Sequence, residues 1–127
     1  MIRHIPNKYQ MKSLLEEIDQ EFINKYDLVY LPLDKENKCN LGFAFINLID
    51  PMHVVLFFND FRGKKWKKFN SEKICELAYS KFQGKHDLIA HFEKGSNKQY
   101  ESENKKSFII ITPNQNAKIE MPIVKFI

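Results

Sequence analysis

Apolar and polar positions alternate along this chain in two distinct periods, and the switch between them outlines the fold. Over residues 41–48 the period is two: Phe43, Phe45 and Asn47 share one side of an extended strand, and Ala44, Ile46 and Leu48 share the other. Residues 1–5 read as a shorter strand closed by the turn signal Pro6-Asn7. Met11, Leu14, Leu15, Ile18 and Phe22 recur at helical spacing, which predicts an amphipathic helix ending near residues 24–26. Residues 27–33 predict a second strand with Pro32 near its end, and residues 34–40 a polar loop. Asp50-Pro51 is a helix start, Val54, Val55, Phe58 and Phe61 are its expected buried face, and Gly63 is its stop. Residues 73–82 predict a further strand, and 86–94 a short third helix with Leu88, Ile89 and Phe92 on one side. Residues 95–107 lack any period and read as a flexible linker; 108–112 form a β run. The expected organisation is a domain over 1–94, a linker over 95–107, and an extension over 108–127 whose strand packs on the domain.

The order over residues 1–82 is β-α-β-β-α-β, the pattern of an α+β, ferredoxin-like sandwich: a four-stranded antiparallel sheet with two helices on one face. The first and third strands lie in the middle. The Ala44/Ile46/Leu48 side is needed by the helices, so Phe43 and Phe45 lie on the bare face. Adjacent exposed phenylalanines need a partner, and a nucleobase is one.

Composition changes this picture in one respect. The 127 residues are ordinary globular material, but 11 are Phe and 5 are Tyr, more aromatic surface than a small core requires. The net charge of +4 is concentrated around Trp66, flanked by Lys64, Lys65, Lys67 and Lys68, with Trp66 itself expected to pack. Cys39 and Cys75 are not spaced as a disulfide framework, and they do not combine with His4, His53, His86 or His91 at zinc-ligand spacing. No cofactor or metal is expected. No signal-peptide pattern or membrane-length apolar run occurs, so an intracellular, reducing setting, nuclear or cytoplasmic, is expected.

Residues 41–48, Leu-Gly-Phe-Ala-Phe-Ile-Asn-Leu, resemble the octamer signature of the RNA recognition motif, a basic–Gly–aromatic–small–aromatic–aliphatic pattern. Gly42, Phe43, Ala44, Phe45 and Ile46 match; Leu41 stands where the signature is basic, and Leu48 where it closes on an aromatic. The first-strand hexamer falls on residues 1–5, with Met1 in its aromatic position, Arg3 able to offer a guanidinium plane instead, and His4 where Asn is common. Further blocks are similar to the C-terminal recognition motif of the Mei-two-like proteins: Ile-Pro-Asn-Lys-Tyr at 5–9, Leu-Leu-Glu-Glu-Ile-Asp at 14–19, Gly-Lys-Lys-Trp at 63–66, Lys-Phe-Asn-Ser-Glu-Lys at 68–73 and Gln-Gly-Lys at 83–85. That resemblance covers about residues 5–93. It implies single-stranded RNA binding and a role in meiotic or developmental commitment.

The residues expected to meet RNA are Phe43 and Phe45 by stacking, and Arg3, Tyr30 and Asn47 beside them on the same face. Lys38 and Asn40 are expected at the rim before the octamer, and Lys81, Gln83 and Lys85 after the last strand. The chain is expected to be a monomer. A second reading makes it a protein-interaction domain that holds a peptide or partner through its helical face. A third, an acylphosphatase-like hydrolase on the same fold, finds no nucleophile–base pair or Gly-rich phosphate loop to support it.

Overall fold

Local chemistry sets most of the element boundaries. The computed structural model describes residues 1–34, 36–81, 83–84, 86–90, 108–110 and 119–120. Helix α1, Met11–Phe22, buries Met11, Leu14, Leu15, Ile18 and Phe22, the stripe its spacing predicts. Helix α2, Pro51–Phe61, starts where the Asp50 carboxylate accepts the Met52 N–H at 2.8 Å with Pro51 in the first turn. It stops before Gly63, whose φ of +76° suits a residue without Cβ. The strands are β1 (Ile2–Arg3), β2 (Tyr26–Tyr30), β3 (Phe43–Leu48), β4 (Glu76–Leu77), β5 (Phe108–Ile110) and β6 (Ile119–Glu120).

These strands form one sheet in the order β4-β1-β3-β2-β5-β6, and every pairing is antiparallel. The first four give the order that the β-α-β-β-α-β pattern predicts, with β1 and β3 inside. The pair β5–β6 then extends the sheet beyond β2, aligning Leu28 with Ile110 and Tyr30 with Phe108. Ile2, Ala44 and Val29 face the helices and join Leu14, Ile18, Phe22, Phe57 and Phe61 in one core. Trp66 packs there too, edge-on to Tyr9 with ring centroids 5.3 Å apart.

Two expectations change. Helix α2 buries Phe57 and Phe61, while Val54, Val55 and Phe58 are exposed. Among the described residues of the strand expected over 73–82, a ladder forms only at Glu76–Leu77, with an isolated bridge between Lys65 and Ile74. The bridge closes the basic segment: the Gly63 N–H donates to the Cys75 carbonyl and the Cys75 N–H to the Lys64 carbonyl, each at 2.8 Å. Residues 86–90 are helical with Leu88 buried. The remainder of the expected third helix and the expected linker over 95–107 lie outside the described residues.

Candidate nucleic-acid interface

The register of β1, β2 and β3 decides which side chains share the face away from the helices. Arg3 pairs with Phe43, Tyr30 with Phe45, and Leu28 with Asn47, so these six lie on one side. Phe43 and Phe45 are half-buried and meet edge to face, centroids 5.8 Å apart and planes at 85°. Tyr30 backs Phe45 at 6.3 Å. A ring held on both sides is pre-ordered, so a base stacking on it immobilises little that was free. Arg3 is exposed beside Phe43, its guanidinium available for a phosphate or a base plane.

The face is not bare along its whole width. Leu28 is 0% exposed and Tyr30 9% exposed, although both lie on the Phe45 side. Tyr30 therefore supports Phe45 and is not presented to a ligand, which corrects its expected role on the exposed surface. Asn47 is half-buried, and its amide donates to the Asp27 carboxylate at 2.8 Å. Its carbonyl oxygen is the atom left to accept from a base or a 2′-hydroxyl.

Asn40 is a second correction. It is 1% exposed, and its amide donates to the carbonyls of Pro6 and Tyr9, both at 2.8 Å. Its side-chain oxygen accepts the Gly42 N–H at 2.7 Å. Gly42 has φ of +93°, and with the Ile5 N–H bonded to its carbonyl at 2.9 Å it leads the chain into β3. Asn40 thus pins the entrance of the octamer strand to the β1–α1 turn instead of meeting RNA at the rim.

The remaining expected residues lie around the platform. Lys38 is exposed in the loop before β3, and Lys81 and Gln83 are exposed after β4; Lys85 lies outside the described residues. A groove of about 810 Å³ borders the platform, and Phe45, Asn47, Val54, Phe58, Tyr79 and Gln83 are among its walls. Glu76, opposite Arg3 on the same face, was not expected; alternating apolar residues in a strand carry no signal for it. The lysine-rich segment is tied to the helical side, where Lys67 contacts Gln20, Lys68 pairs with Glu16, and Lys73 bonds Asn7 at 2.7 Å. The Lys68 contact holds the Glu16 carboxyl below its ordinary range.

Burial pushes the Cys75 thiol up to about 12, so it stays protonated, and burial likewise raises the hydroxyls of Tyr9 and Tyr26. Among the described residues no group of three or more His, Cys, Asp or Glu is placed to hold a metal ion, and no helix is long and apolar enough to cross a membrane.

The family model for RNA recognition motif 2 matches residues 1–93. The chain belongs to the RNA recognition motif family, in its Mei2-like branch. It is 55% identical over 96 residues to "Protein MEI2-like 3" of Oryza sativa subsp. japonica and 57% identical over 96 residues to "Protein MEI2-like 4" of Arabidopsis thaliana, covering 76% of this chain each time. Similarity to "Protein MEI2-like 5" of Arabidopsis thaliana, 46% over 123 residues, extends over 97% of the chain. The chain spans only 10% to 15% of the length of these curated relatives. Family and fold agree: the chain has the ferredoxin-like α+β architecture expected from its sequence.

Proposed function

We propose that this recognition motif binds single-stranded RNA on the sheet face of β1 and β3, stacking bases on Phe43 and Phe45, and that it performs no catalysis. The observation that carries the reading is the Phe43–Phe45 pair, held edge to face in the middle of the sheet with Arg3 beside it. Because the β2 side of this face is filled by Leu28 and Tyr30, the RNA lies over β3 and β1. It leaves along the groove toward Lys81 and Gln83. Arg3, Lys38 and Lys81 supply the phosphate contacts, and Asn47 and Gln83 the polar reading of base edges or 2′-hydroxyls. The setting of this activity is intracellular, nuclear or cytoplasmic, and its context is meiotic or developmental control of RNA.

Fluorescence anisotropy with a pool of labelled single-stranded RNA tests this reading. Phe43→Ala and Phe45→Ala should each weaken binding by about 1–3 kcal/mol, roughly 5- to 150-fold, because each removes one stacking surface. Binding of the double variant at the parental affinity would remove stacking from the mechanism.

A further inference from the structure

Helix α2 has the sequence Pro-Met-His-Val-Val-Leu-Phe-Phe-Asn-Asp-Phe, with Asp60 as its one acidic residue and no Lys or Arg. A helix that is apolar on all sides is one that packs on all sides. Among the described residues only one side of α2 is packed, by Phe57 and Phe61 against the core. The opposite side carries Met52 at 62% exposure, Val55 at 53% and Leu56 at 46%, continued by exposed Ile49 in the preceding turn. Asn59 completes this side, and no charged residue interrupts it. Contiguous apolar surface of this kind marks an interface.

The charges at its two ends narrow the choice of occupant. Asp50 is exposed at the N-terminal end and Arg62 at the C-terminal end, with Lys64 half-exposed beyond it. We propose that α2 packs antiparallel against α2 of a second copy of this chain, about a two-fold axis between Val55 and Leu56. That arrangement sets Met52 of each copy against Asn59 of the other and brings Asp50 of each near Arg62 of the other. The helix dipoles also oppose head to tail. A charged partner would find nothing to pair with in the centre of the patch, whereas an identical helix matches it in apolar character and in end charges. The departure from the expected monomer follows from the exposure of Met52, Val55 and Leu56, of which Val55 alone belonged to the face expected in the core.

A single-helix contact is a small interface, so the dimer is weak. Sedimentation equilibrium of the full chain without RNA, from about 10 to about 500 µM, reads a weak interface of this size. The apparent mass should climb from 15.1 kDa toward twice that value. Val55→Lys and Leu56→Lys, both at exposed positions that leave the melting temperature near the parent's, should each weaken association by on the order of ten-fold or more, since each places an unpaired charge in the contact. Arg62→Glu should weaken it through repulsion from Asp50. In a Cys39→Ser background, Leu56→Cys should form an intermolecular disulfide on mild oxidation, because the axis brings the two side chains together. A mass of one chain at every concentration, or association that Val55→Lys leaves intact, overturns the proposal; so does a Leu56→Cys variant that stays monomeric on oxidation. Because RNA is absent from these measurements, their outcome is independent of the reading of the sheet face.

Discussion

Asn40 and Phe43 lie close together in sequence, yet their legibility differs. Phe43 and Phe45 are readable because strand alternation puts them together on the side the helices do not need. Asn40 reads as exposed because an amide in a polar loop has no period to mark it. Its burial comes from contacts across 34 and 31 residues, to the carbonyls of Pro6 and Tyr9, which no local pattern encodes. Removing its amide leaves buried main-chain groups without partners, so Asn40→Ala should cost about 2–4 kcal/mol and lower the melting temperature by on the order of 10 °C. Thermal unfolding followed by circular dichroism checks the stability loss. RNA affinity measured well below the transition should stay near the parent's. A variant with parental stability and lost RNA binding would return Asn40 to the interface.

At the scale of the element, α2 is the case where existence was clear and orientation was not. Asp50-Pro51 and Gly63 mark both ends by local chemistry. The face cannot be read from the periodicity, because apolar residues surround the axis and several stripes compete. The structure selects Phe57 and Phe61, which stack at 4.4 Å and pack against Phe22. Phe57→Ala should therefore destabilise the fold by about 3–5 kcal/mol. Val55→Ala, in dilute solution, should shift stability by no more than about 0.5 kcal/mol. Urea unfolding of both variants distinguishes this arrangement from the one periodicity alone suggests, in which Val55 is the buried residue. Strand β4 shows the complementary error. Its alternation runs over ten expected positions, but among the described residues the ladder forms only where β1 offers Ile2 and Arg3 as partners.

For the whole molecule, the β-α-β-β-α-β order was sufficient to place β1 and β3 in the middle of the first four strands and the helices behind them. The attachment of β5 to β2 was not readable, because a β run says nothing about which edge it joins. With that attachment Leu28 and Tyr30 are buried, which leaves the β3–β1 side of the sheet as the surface proposed for RNA. The α2 dimer would then point two such faces away from each other, so that one RNA strand long enough to reach both is held more tightly than by one face alone. In the proposed complex bases stack on Phe43 and Phe45 while the helical side stays free of RNA. Amide chemical shifts of the full chain, followed during titration with a random-sequence single-stranded RNA hexamer, test it most directly. Arg3, Phe43, Phe45 and Asn47 should shift in proportion to RNA bound, with α1 and α2 unmoved. Shifts confined to α1 and α2, with residues 43–47 unchanged, would contradict it.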